Sequence, residues 1–210
     1  MKLKHISHLI TGSVMELFGV MADGKVVNSY ELTNKRGAKL KVINYGATVT
    51  SLKIPLKSGE MVDVVLGFDT LENYINSFDL ESAPYLGATV GRYAGRINNA
   101  TFNLNGEIIH LDKNNNGHSL HGGKDNFSKK VWEVKNVNEG CSPSITFGYL
   151  SPANEGNYPG DLSVELTYTL SENNELIIEY NAQTTEDTVL HLTHHSYFNL
   201  DGHDSSVSEQ

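Results

Sequence analysis

Apolar and polar residues alternate with a period of two along much of the chain, the pattern of strands with one face buried and one in water. It is clearest over residues 162–170, where Leu162, Val164, Leu166, Tyr168 and Leu170 alternate with Ser163, Glu165, Thr167 and Thr169. Glu172-Asn173-Asn174 turns the chain, and Leu176, Ile178 and Tyr180 then alternate with Ile177, Glu179 and Asn181. The two runs predict a half-buried antiparallel pair. Upstream, residues 38–44 alternate and residues 47–54 resume after Tyr45-Gly46, with Pro55 and Lys57-Ser58-Gly59 closing a hairpin-like unit. Residues 62–68 form a mostly apolar run. Residues 101–104 and 107–110 flank Asn105-Gly106, a hairpin signal because both turn positions require positive φ. Residues 131–134 and 144–149 read as short strands. Only residues 69–75 read as a helix, with Asp69 in the capping position. Heptads, long amphipathic helices, low-complexity segments and solenoid repeats are absent from the sequence. The pattern predicts an all-β fold, a sandwich of antiparallel sheets forming one domain over residues 1–210.

The chemically richest stretch is residues 190–200, L-H-L-T-H-H-S-Y-F-N-L. Read as a strand, it places Leu190, Leu192, His194, Ser196, Phe198 and Leu200 on a greasy, core-like face. His191, Thr193, His195, Tyr197 and Asn199 fall on the other. That second row holds donors and acceptors but no Lys or Glu, as expected of a sheet facing a polar ligand. A few residues after Leu200 the chain ends. The strand is therefore expected at an exposed edge, and the sandwich is expected to be incomplete on its C-terminal side.

Bulk composition narrows the setting. At 210 residues the chain is long enough to bury a sizeable core. A formal charge of -9 argues against a nucleic-acid or anionic-membrane partner, since phosphate contacts need clustered Lys and Arg. No apolar run approaches the roughly 18 residues of a membrane span. The first eight residues lack an apolar segment behind their basic residues, so a cytoplasmic location is expected. The single cysteine, Cys141, has no cysteine partner and no adjacent base, and reads as a bystander thiol.

Three stretches could carry chemistry. In the 190–200 strand, His195 sits between Thr193 and Tyr197 and is the best general acid/base candidate, because imidazole exchanges protons near neutrality. In Gly91-Arg92-Tyr93-Ala94-Gly95-Arg96-Ile97, two arginines among small residues could deliver guanidinium donors to ligand oxygens. In Gly117-His118-Ser119-Leu120-His121-Gly122-Gly123, an imidazole on a glycine-bounded turn can approach a ligand closely. The histidine spacings do not suit a metal. On a strand His194 and His195 point to opposite faces, and His191 and His195 lie roughly 13 Å apart at about 3.3 Å per residue. No phosphate-binding loop and no G-x-S-x-G elbow is present.

Six motifs in order carry a family resemblance. They are N-Y-G-A-T-V-T-S-L (44–52), V-V-L-G-F-D (64–69), G-R-Y-A-G-R-I (91–97), H-S-L-H-G-G (118–123), N-Y-P-G-D-L (157–162) and H-H-S-Y-F-N-L-D-G-H (194–203). Together they resemble the aldose 1-epimerase, or galactose mutarotase, family, over its N-terminal two-thirds. The resemblance implies a large antiparallel β-sandwich, the galactose mutarotase-like supersandwich, with an aldohexose in an open groove and no cofactor or metal. It implies that His195 is the general acid acting on the sugar ring oxygen and that His121 hydrogen-bonds near the same oxygen. Arg96 is similar to the substrate-binding arginine. Gly95, Ser196 and Tyr197 fall within the substrate-binding motifs. Gly95 stands where some relatives have Asn, and His194 stands where Asn is more usual. The implied reaction interconverts α and β anomers of an aldohexose such as galactose or glucose by ring opening and reclosure. The family's base, a glutamate, is expected beyond residue 210. A carbohydrate-binding protein without turnover and an inactive fragment are the alternative readings.

Overall fold

A computed structural model describes residues 9–10, 13–203 and 205–207. The expectation drawn from the first eight residues lies outside them. Sixteen strands are described: β1 (Leu9–Ile10), β2 (Ser13–Val20), β3 (Val26–Thr33), β4 (Lys39–Ile43), β5 (Thr48–Pro55), β6 (Met61–Asp63), β7 (Thr89–Val90) and β8 (Arg96–Ile97), then β9 (Thr101–Leu104), β10 (Glu107–His110), β11 (Ser119–Leu120), β12 (Glu133–Asn138), β13 (Ser144–Ser151), β14 (Leu162–Leu170), β15 (Leu176–Thr184) and β16 (Thr193–His194). One α-helix, α1 (Leu71–Ser77), interrupts them. Strands β1 to β6 form one antiparallel meander and β12 to β15 another.

The two sheets meet across the main core. Leu32, Leu40, Val42, Val49 and Leu52 of the first pack in one cluster with Ile145, Phe147, Val164, Leu166 and Leu170 of the second. Phe127 and Trp132 join the same cluster, and the indole N–H donates to the Phe127 carbonyl at 3.2 Å. The alternation in β14 is complete: all five apolar residues are buried while Ser163 and Glu165 face water. β15 repeats it with a shallower inner face. The Asn105-Gly106 turn joins β9 to β10 with φ of 53° and 87°.

Three expectations are corrected. The helix cap is Thr70, whose Oγ1 accepts from the Asn73 N–H at 3.2 Å, and not Asp69. β2 and β3 have no counterpart among the strands read from the sequence. In β3 the buried positions are Val27, Ser29, Tyr30 and Leu32, so a buried serine and a side-by-side pair break the two-residue period. The third concerns residues 190–200, which are not one strand. His191 bridges Tyr93, Thr193 and His194 pair with Val90 and Thr89, and Phe198 bridges Val65. The chain takes three successive partners and its faces rotate with them. Leu190, Phe198 and Leu200 are consequently exposed, whereas Asn199 is buried with its side chain donating to the Ser205 carbonyl.

Among the described residues no helix is long and apolar enough to cross a membrane. The exposed Cys141 is a free thiol.

Candidate active site

Two short ladders bring the candidate residues together. In the first, β8 pairs with β11 so that Arg96 stands opposite Leu120 and Ile97 opposite Ser119. At the end of this ladder Gly95 and His121 bond twice. The His121 N–H donates to the Gly95 carbonyl at 2.9 Å, and the Gly95 N–H donates to His121 Nδ1 at 3.1 Å. With Nδ1 committed as an acceptor, the neutral ring carries its hydrogen on Nε2. The backbone thus selects a tautomer able to donate from Nε2.

His121, Gly122 and Gly123 all have positive φ, at 54°, 89° and 94°. A Cβ on Gly122 would lie 2.0 Å from the Gly91 carbonyl oxygen, so only glycine permits this approach of the turn to the 91–92 peptide. Asn114 braces the loop leading into the turn: its amide accepts from the Leu120 N–H at 2.7 Å and donates to the Leu120 carbonyl at 2.9 Å.

In the second ladder, β16 pairs with β7. Just beyond it the His195 N–H donates to the Ala88 carbonyl and the Gly87 N–H donates to the His195 carbonyl, both at 3.0 Å. The His195 backbone is therefore pinned on both sides of its Cα. Its ring lies 5.3 Å from that of His121, nearly perpendicular at 83°. Tyr85 stands against both, at 5.0 Å from His121 and 5.9 Å from His195, and Tyr197 lies 5.3 Å from His195.

These groups face an open, mostly polar cleft of about 800 Å³. Arg96, Asn115, His121, His195 and Tyr197 line it together with Tyr85, and Lys113, Lys124 and Lys129 outnumber the acidic Glu81. Arg96 Nε donates to Asn115 Oδ1 at 3.2 Å, which holds the guanidinium at the wall. Burial pushes the His121 imidazole down to about 4, and the neighbouring His195 and Arg96 add to the effect. His121 is accordingly a neutral donor and acceptor at pH 7.

Of the residues singled out from the sequence, His121, His195, Arg96 and Tyr197 share this cleft. Gly95 acts behind it through its backbone bond to His121; its φ is 86°, and open space surrounds the position of a Cβ. Ser196 faces away, its Oγ 3.2 Å from His194 Nε2. His194 also turns from the cleft, as the alternation implied, and packs edge-on to Tyr168 at 5.7 Å. Burial lowers its imidazole to about 4, opposed by a bond to the Gly87 backbone. His118 is engaged elsewhere, its Nδ1 accepting from the Asn99 N–H at 3.0 Å. His191 bonds the Ala94 carbonyl at 2.9 Å and packs on Tyr93.

Arg92 does not deliver its guanidinium to a ligand. It is 2% exposed, and its five N–H groups donate to Ser151 Oγ and to the carbonyls of Ser151, Pro152, Pro159 and Gly160, at 2.9 to 3.0 Å. The whole fork is consumed in holding the 151–160 loop. Among the described residues no group of three or more His, Cys, Asp or Glu is arranged to hold a metal ion.

Sequence reading missed the wall formed by Phe78, Leu80, Glu81 and Tyr85. The available signal was an aromatic residue set between Pro84 and Gly87, immediately before the arginine-bearing motif.

An antiparallel β scaffold thus presents two neighbouring imidazoles and a guanidinium on one open polar cleft. Residues 28–210 match the family model described as Aldose 1-epimerase. The chain is 42% identical to a galactose mutarotase of Bos taurus over 167 residues, 80% of this chain and 46% of that protein. Its fold superposes on a GalM/aldose epimerase homologue from C. elegans with a TM-score of 0.74 at 37% identity, covering 83% of this chain and 51% of that one. A galactose 1-epimerase from Lactobacillus acidophilus gives 0.77 at 26% identity, covering 90% and 53%. The chain belongs to the aldose 1-epimerase family, with the galactose mutarotase-like fold. It spans about half the length of the curated relatives it matches.

Proposed function

We propose that the cleft binds an aldohexose and that its residues take part in interconverting the α and β anomers. The observation that carries the proposal is the pairing of His121 and His195, rings 5.3 Å apart, on one cleft with Arg96. In this reading His195 gives a proton to the ring oxygen as the C1–O5 bond breaks. A base takes the proton from the C1 hydroxyl, leaving an open-chain aldehyde with no net change in protons. Rotation about C1–C2 presents the other carbonyl face, and the same transfers in reverse close the ring. His121, neutral at pH 7, donates from Nε2 to the oxygen region. Arg96 and Tyr197 hold sugar oxygens. The base is the glutamate that the resemblance locates beyond residue 210, and loss of one partner of such a pair costs about 10²–10⁴ in rate. No redox or group-transfer step occurs, so the reaction itself calls for no cofactor.

Polarimetry of freshly dissolved α-D-galactose tests the proposal. Decay of rotation faster than in buffer, lost in His195→Ala, is the expected result for a protein that carries the base as well as this cleft. Decay at the buffer rate from a folded sample that nonetheless binds galactose would favour a carbohydrate-binding role, the second reading left by a separately supplied base.

A further inference from the structure

We propose that Tyr85 is the positioning residue of the histidine pair, a bracket that sets the distance between the two imidazoles and keeps water from their shared side. Its relevance to sugar chemistry rests on the functional reading above, but the bracket itself stands on geometry alone. Tyr85 is 8% exposed, and three rings meet its own: Phe78 at 5.3 Å, His121 at 5.0 Å and His195 at 5.9 Å. It touches both imidazoles, which themselves meet at 5.3 Å. The three rings form a closed triangle, so neither histidine can move toward Tyr85 without displacing it.

The backbone ties the same residue to the same pair. The Ala88 N–H donates to the Tyr85 carbonyl at 3.0 Å, closing a turn. The next two bonds of that turn are those that pin His195, from the Gly87 N–H and to the Ala88 carbonyl. Gly87 has φ of 64°, and a Cβ there would sit 1.9 Å from the Val49 carbonyl oxygen, so the turn is wedged against β5. Tyr85 itself has φ of 52°, a conformation that a bulky residue adopts only when its surroundings over-determine it. One residue thus connects the 85–88 turn that fixes His195 with the 121–123 turn that carries His121.

An aromatic ring seated against two imidazoles removes water from their faces, and dehydration disfavours the charged form. The charged and titratable groups facing His121 are His195, Arg96 and Tyr85, with Lys113, Lys124, Lys129, Glu81 and Tyr197 elsewhere on the cleft. Among the aromatic rings of the described residues, that of Tyr85 lies against both imidazoles.

Two-dimensional proton NMR of the 210-residue chain tests this without any sugar. Cross-relaxation from the Tyr85 ring to both imidazoles is expected in the unmodified protein, and its absence from either one overturns the bracket. Tyr85→Leu is expected to weaken the His121–His195 cross-peak and to raise the His121 titration midpoint from about 4 by at least one pH unit. Tyr85→Phe is expected to restore both. An unchanged midpoint and cross-peak in folded Tyr85→Leu would overturn the proposal. Tyr85→Met, whose unbranched chain fills the space adaptably, answers the same question if the leucine variant does not fold. Intact ring contacts in a chain that binds no galactose would support the bracket while overturning the epimerase reading.

Discussion

At the scale of single residues, the polar side chains near the site are of two kinds, those whose hydrogen bonds are consumed within the scaffold and those that face the cleft. Arg92 is the clearest of the first kind. With all five N–H groups donated to the 151–160 loop, it bears on the site only by holding the scaffold that surrounds it. Lysine carries the same charge but cannot reproduce a planar five-donor fork. Arg92→Lys is therefore expected to lower stability by about 2–4 kcal/mol, read as a shift in the urea midpoint, because carbonyls are left unpaired in the interior. Arg96, a few residues later in the same motif, is exposed on the cleft and donates from Nε to Asn115 Oδ1. Residue pattern alone offered no means of telling these two arginines apart, and only the family resemblance singled out Arg96. Each directly follows a glycine, and the loop that closes over Arg92 separates a structural guanidinium from one facing the cleft.

At the scale of elements, the site depends on two ladders only two residues long, each continued by irregular backbone that a Cβ would obstruct. The 121–123 turn is the more exacting, since Gly122 lies against the Gly91 carbonyl with no room for a methyl group. Gly122→Ala must strain the turn and separate it from the 91–92 peptide. It is expected to cost about 2–4 kcal/mol and to weaken galactose binding as His121 shifts, both measurable by calorimetry. By contrast, Gly106→Ala in the β9–β10 hairpin has open space around it and suffers only from its φ of 87°. About 1 kcal/mol is expected there, with sugar binding unchanged. The hairpin was legible because Asn-Gly specifies its own turn locally. The breaks in residues 190–200 were not, because they arise from the successive partners Tyr93, Val90 and Val65, which lie more than 90 residues upstream.

At the scale of the whole molecule, the two buried imidazoles link stability to pH. His121 and His194 are both held near 4 in the folded chain, against about 6.5 when unfolded. Between those values the unfolded chain takes up protons that the folded chain refuses, so stability falls as pH drops from about 7 toward 4 and levels off below. For His194 the effect is on the order of 3 kcal/mol. Urea midpoints from pH 7 to 4.5 should decline, and His194→Asn, which cannot titrate, should flatten the decline appreciably. An unchanged slope in that variant would show that its imidazole takes up a proton as readily in the folded chain as in the unfolded one. The alternating strands β14 and β15, the 105–106 hairpin and the all-β class followed from residue order alone, because strand periodicity and turn chemistry act between near neighbours. The motif set likewise sufficed to mark His121, His195 and Arg96 as residues of interest and to suggest their family. Tertiary structure alone decided that Arg92 leaves the cleft, that Asn199 is buried while Phe198 is not, and that Tyr85 meets both histidines. The physical reason is that burial and ring contact depend on which distant segment packs beside a residue, and a period of two along the chain carries no information about that partner.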